Sequence, residues 1–262
     1  MTDTKGLLAA YDEQMRGAPP HPPAGVSHEQ DGPLTRTVGQ FRGFISAPRD
    51  LGVRGTELDE LIARQRDYFA ARGEAVEWKI RGHDRPADLT DRLRAAGFAA
   101  EDEETILIGL TKDMASPPVL PDGVALRRVT EAADMHRIAA MESVIWGQDL
   151  SMIGDDLAGR IAAAPDDITV LVAEADGELV SAAWLVVRPG TEFAGLWGGS
   201  TLSAWRGRGI YRALVAARAE IAAARGVSYL QVDASDDSAP ILRRLGFHEV
   251  TTTIPYVWSP SD

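Results

Sequence analysis

The run Arg206-Gly-Arg-Gly-Ile-Tyr211, followed by Arg212, brings together the residue types that hold an anion. Glycines let backbone amides approach a phosphate closely, a helix start offers unpaired N–H groups and partial positive charge, and Arg206, Arg208 and Arg212 add full charges. No Gly-Lys-Ser/Thr follows, so this is not a Walker loop, and the third glycine of a dinucleotide fingerprint is missing. In the same half of the chain Glu142, Glu192 and Asp233 are candidate proton acceptors, and Tyr256 and Tyr211 candidate donors. A solvated carboxylic acid titrates near pH ~4, too low for an efficient base, so the working group must be partly buried or act through water.

Such a loop needs a strand to deliver it and a helix to receive it. Residues 193–202 read as the strand, and 210–225, with Leu214, Ala217, Ile221 and Ala224 on one face and Gly226 beyond, as the helix. Upstream, 124–129 is strand-like and 131–146 carries apolar residues at helical spacing. Two β-rich runs, 168–174 and 179–187, meet at Asp176-Gly177, a hairpin signal. Downstream come a strand at 229–233, a short helix at 237–245 and a last strand at 248–257.

The first half echoes this pattern. Ala70-Ala-Arg-Gly73 and Leu93-Arg-Ala-Ala-Gly-Phe98 parallel Ala223-Ala-Arg-Gly226 and Leu242-Arg-Arg-Leu-Gly-Phe247, each pair flanking a β-rich run. An internal duplication of a β-α-β-α-β unit is the simplest account. The proline-rich stretch 116–123 sets a boundary, giving units 1–117 and 118–262; a second such stretch, 18–25, reads as loop. In the first unit Arg49-Asp-Leu-Gly52 faintly matches the anion loop, but its single glycine and lack of neighbouring cations argue against a cofactor site there. His83 and Asp84, at the end of a predicted strand, are candidates for a shared cleft, although Asp84 also suits a turn before Pro86.

The formal charge of −12 opposes binding to nucleic acid or an anionic membrane, while favouring a cationic partner. With no cysteine there are no disulfides, thiolate metal sites or thiol nucleophiles, and no metal site is expected. The sequence offers no membrane-length apolar run and no secretion signal, so a cytoplasmic location is expected. Of the tryptophans in the second half, Trp146, Trp184, Trp197 and Trp258 serve a core or shape an apolar acceptor site.

From about Leu126 to Val257 the chain resembles the GNAT N-acetyltransferase superfamily, whose pyrophosphate loop reads Arg/Gln-x-x-Gly-x-Gly/Ala. Arg206 and Gly209 fit that pattern; Tyr211 stands where a small residue is usual. The resemblance implies an α/β (α+β) fold of two GNAT-like domains, each a mixed, mostly antiparallel sheet flanked by helices, the first degenerate. It implies acetyl-CoA as acyl donor, with Thr201, Leu202 and Ser203 beside the pantetheine arm and the amides of Gly207, Arg208, Gly209, Ile210 and Tyr211 on the pyrophosphate. An amine of a small molecule or peptide would be the acceptor. The family's usual acid tyrosine is Leu242 here and its strand glutamate is Gly195, leaving Tyr256, or Tyr211, as acid and Glu142, Glu192 or Asp233 as base. The alternative is a non-catalytic acyl-CoA-binding sensor or interaction module.

Overall fold

The computed structural model describes residues 3–260. The first half runs α1 (Thr4–Gln14), β1 (Ser27–Asp31), β2 (Leu34–Val38), β3 (Gly43–Ser46), α2 (Gly55–Arg72), β4 (Val76–Arg81), α3 (Leu89–Ala95), β5 (Ala99–Ala100), β6 (Glu104–Leu110) and α4 (Thr111–Met114). The second runs β7 (Val124–Val129), α5 (Ala132–Trp146), α6 (Met152–Ala163), β8 (Ile168–Ala175), β9 (Glu178–Val187) and β10 (Phe193–Thr201). It ends with α7 (Ile210–Ala224), β11 (Tyr229–Ala234), α8 (Ala239–Arg244) and β12 (His248–Trp258).

The strands form one twelve-stranded sheet in the order β1-β2-β3-β4-β12-β6-β11-β10-β9-β8-β7, with β5 also on β12. Only β3 with β4 and β10 with β11 run parallel, each pair joined through a helix. The duplicated β-α-β-α-β order expected from the sequence therefore reappears, with the same pairing in both copies.

The halves exchange their last strands. β12 from the second half pairs with β4, and β6 from the first half pairs with β11, while β6 and β12 pair with each other. Tyr256 thereby sits opposite Trp78, both fully buried, inside the core that α2 and α3 form on the first half of the sheet. Each such aromatic withdraws enough apolar surface to stabilise by about 2–3 kcal/mol, so neither half completes its core without the other. A chain cut at 117/118 would sever both exchanged strands from their partners.

Strand alternation sorts the helices onto two faces. Leu196, Leu230, Val232 and Leu107 point toward α7 and α8. On the opposite face Ile106, Ile108 and Phe193 meet Leu7 and Tyr11 of α1, and α5 and α6 pack on Val170, Val172 and Ala182. Between α1 and the α5–α6 pair this second face is left open as a cleft.

Candidate functional site

β10 and β11 pair only over Phe193–Gly195 and Tyr229–Gln231. Beyond, β11 pairs with β6 as far as Ala234, while β10 stays with β9 to Thr201, so a wedge opens between their C-terminal ends. β10 bends there because Gly198 (φ 65°) and Gly199 (φ 83°) are both left-handed, making a bulge between Gly198 and Ser200. Three β10 glycines each seat an aromatic ring. A Cβ at Gly195 would strike the Trp197 indole, one at Gly198 the Trp184 ring, and one at Gly199 would lie 2.6 Å from Tyr211. Trp197 thus lies over Gly195, the position at which the resemblance would put a strand glutamate.

Below the bulge Arg218 of α7 is fully buried. Its Nε donates to the Leu214 carbonyl (3.0 Å), and one terminal nitrogen donates to the carbonyls of Trp184 (3.2 Å) and Trp197 (3.1 Å). Burial without a carboxylate lowers its pKa to about 10. The sequence reading passed over Arg218, although an arginine among Leu214, Val215 and Ala219 on an apolar helix face was a signal.

After Thr201 a single 3-10 turn leads into the loop. Arg206 Nε donates to the Thr201 carbonyl (3.0 Å), tying the loop to the strand end. Gly207 (φ 74°) and Gly209 (φ 88°) turn the backbone into α7, whose first bond runs from the Ala213 amide to the Gly209 carbonyl. The amides of Ile210, Tyr211 and Arg212 precede that bond and are left free of intrahelical acceptors. Arg206, Arg208 and Arg212 are exposed and, among the described residues, form no salt bridge; Arg208 stacks on Trp205 at 4.6 Å. Free cations gathered beside free amides, in a chain of net charge −12, give this loop the chemistry to hold an anion.

Glu142 reaches the wedge from α5. It is 3% exposed, accepts Ser200 Oγ (2.7 Å) and Trp146 Nε1 (2.8 Å) on Oε2, and leaves Oε1 buried without a partner. Burial pushes its pKa up, with the two hydrogen bonds opposing. A carboxylate so shielded can accept a proton nearer neutral pH than a solvated one. Tyr211, half-buried against Gly199, also has a raised pKa through burial, opposed by the Arg218 charge.

Across the wedge Asp233 accepts from Lys79 Nζ (2.6 Å) and Gln231 Nε2 (2.6 Å), and Lys79 also pairs with Glu104 at 3.2 Å. Burial works against the Lys79 ammonium, but Asp233 and Glu104 outweigh it and raise its pKa; burial raises that of Glu104. The second half's slot is thus walled by two residues of the first half.

Two expected residues lie elsewhere. Glu192 precedes β10 at the end opposite the wedge, roughly 30 Å along an extended strand from Thr201, exposed and bonded to Gln14 and Ser228. Tyr256 is in the first half's core, its hydroxyl buried and unpartnered, so strand exchange has carried it away from the loop. His83 and Asp84 also stay out of the cleft: His83 bonds to Asp12 and Thr251, and Asp84 accepts the Arg81 amide and pairs with Arg16. Leu242, where the resemblance would put the acid, is fully buried.

The corresponding loop of the first half is closed on itself. The Arg85 amide donates to the Arg49 carbonyl (2.8 Å) and the Leu51 amide to that of Arg85 (3.2 Å), joining strand ends that stand apart in the second half. The Asp50 carboxylate accepts the Gly52 amide (3.0 Å) and Arg54, which hold its pKa below the usual range. A side-chain anion occupies the amide that an incoming phosphate would need.

Residues 135–247, which span the wedge, the loop and Glu142, match the acetyltransferase (GNAT) family. The match places a GNAT domain in this segment. The fold of the chain is shared along the whole length with a GCN5-related N-acetyltransferase from Kribbella flavida (TM-score 0.70, 19% identity, 100% of this chain and 97% of that one). A tandem GNAT protein from the clavulanic acid biosynthesis pathway is similar over 98% of this chain and 94% of that one (TM-score 0.63, 16% identity). A GCN5-related N-acetyltransferase from Sphaerobacter thermophilus aligns with 88% of this chain and 82% of its own (TM-score 0.57, 17% identity). No curated protein matches the chain by sequence. Among the described residues no helix is long and apolar enough to cross a membrane, and no group of three His, Cys, Asp or Glu residues could hold a metal ion.

Proposed function

We propose that this protein is an acyl-CoA-dependent N-acetyltransferase that moves an acetyl group from acetyl-CoA to an amine, with one donor site per chain. The observation carrying this reading is the arginine-glycine loop at the start of α7, directly beside the open wedge of β10 and β11. In this reading residues 118–262 form the catalytic unit and 1–117 a degenerate partner whose own loop is closed.

The amides of Gly207 to Tyr211 and the free arginines hold the donor's diphosphate. The exposed edge of β10 near Thr201, with Leu202 and Ser203, lines the pantetheine arm. Glu142, desolvated and bonded to Ser200 on the bulge, accepts the proton that the amine loses as its nitrogen bonds the thioester carbonyl carbon. As the C–S bond breaks, Tyr211 supplies a proton to the sulfur; Arg218 beneath it holds the bulge in shape.

The buried Leu242 in place of the family tyrosine favours a second reading, a non-catalytic acyl-CoA-binding module. Thiol release from acetyl-CoA, followed with a panel of amines, separates the two. Amine-dependent release that Gly209→Asp abolishes supports the transferase, and donor binding without release under any amine supports the module.

A further inference from the structure

Beyond the donor loop, the face that must receive the amine carries its own chemistry. The cleft there has a volume of about 1460 Å³ and is lined by both halves. That exceeds the volume of a typical small-ligand pocket, roughly 300–1,000 Å³, so an acceptor with a substantial body fits.

The described residues expose five large hydrophobic side chains, and three of them, Phe41 (71%), Trp146 (58%) and Trp197 (45%), line this one cleft. Scattered exposed hydrophobics are ordinary, but three aromatic rings around a single concavity, contributed by both halves, mark a binding surface. Two of the rings are already fixed. Trp146 is anchored through Nε1 to Glu142, and Trp197 lies across Gly195, so little side-chain freedom remains to be lost on binding.

Carboxylates outnumber cations along the cleft, nine to five, although Arg81 and Arg188 have no carboxylate partner among the described residues. Arg42 is neutralised by Glu77 and Glu101, Lys79 by Asp233 and Glu104, and Arg160 by Asp156. Arg188 donates to the Gly17 carbonyl, and Arg81 to the Lys79 carbonyl and the Tyr11 hydroxyl. By contrast Asp102, Glu103, Asp236 and Asp237 are exposed at the cleft with no cationic partner among the described residues. Aromatic faces and unpaired carboxylates both attract an ammonium, and both reject a second carboxylate or a phosphate.

We infer that the acceptor is a cationic amine carried on an aromatic body, held in the cleft between the two halves with its ring against Trp146 and Trp197. This rests on the acetyltransferase reading only for the fate of the amine; the binding itself can be measured without turnover. Titration of the intact protein with tryptamine, spermidine and tryptophan compares an aromatic cation, a cation without a ring and an aromatic zwitterion. Tryptamine should bind roughly tenfold more tightly than either of the others. Trp197→Ala and Trp197→Leu should each weaken it by about fivefold while leaving acetyl-CoA affinity unchanged. Spermidine or tryptophan binding as well as tryptamine, no tryptamine binding, or aromatic variants without effect would overturn the inference. Acetyl-CoA titrated into the same samples keeps the two ideas apart: donor bound without tryptamine sinks the acceptor assignment alone, and tryptamine bound without donor sinks the transferase reading alone.

Discussion

Ser200 donates a 2.7 Å hydrogen bond to Glu142, joining the bulge of β10 to a carboxylate buried in α5. The bond places an acid of raised pKa at the mouth of the wedge, with its second oxygen uncommitted.

A base works only when ionised. Turnover should therefore fall as pH drops through the raised Glu142 pKa, above the ordinary carboxylate range. Glu142→Gln should lower kcat by about 100-fold or more and remove that acidic limb from the pH–rate profile. The effect on stability has the opposite sign. Because the folded-state pKa is raised, the unfolded chain ionises first as pH climbs, and the native state loses stability between the unfolded and folded values. At neutral pH Glu142→Gln removes this cost, so its Tm should equal or exceed that of the wild type. A variant that is both inactive and much less stable would point to a structural role.

The tyrosines separate in the same way. Tyr256→Phe deletes a buried, unpartnered hydroxyl from the first half's core and should stabilise the protein by about 1 kcal/mol, with kcat unchanged. Tyr211→Phe should lower kcat and leave the Tm within a degree or two. The reverse pattern would return the acid to Tyr256.

Much of this was legible in the sequence, and what was not has a physical cause. The second-half strands and helices other than α6 were readable to within two residues because their apolar periodicities are strong and Asp176-Gly177, both at positive φ, makes the hairpin turn that the dipeptide signals. α1 and α6 gave weak signals, since each buries only two residues, and β1 buries none. The strand exchange could not be read at all. Residues 248–258 form a good strand with either neighbour, and only tertiary packing decides that Tyr256 faces Trp78. That choice moved Tyr256 out of the site and brought Lys79 and Glu104 into it. Glu142 reads as an ordinary helix-surface carboxylate until α6 and the β10 bulge enclose it.

Strand exchange also predicts how the chain behaves when cut. Residues 118–262 expressed alone lack β6, leaving the β11 edge open, and lack the core that buries Tyr256. The fragment should aggregate or melt without a cooperative transition, and co-expression with residues 1–117 should restore a single transition. A soluble fragment with a sharp melt would show the halves to be independent.

Arg218 offers a further check. Arg218→Met leaves the carbonyls of Trp184 and Trp197 without their donor under the bulge, and thermal melts should show a loss of about 2–4 kcal/mol. Activity lost without any loss of stability would mean that Arg218 acts directly on the donor.

The most direct test of the central claim is a calorimetric titration of the intact protein with acetyl-CoA, repeated on Arg206→Ala/Gly209→Asp. The account predicts one molecule bound per chain, because the first half's loop is closed by Arg85 and Asp50, and loss of that binding in the variant. No binding, two molecules per chain, or binding undiminished in the variant would contradict it.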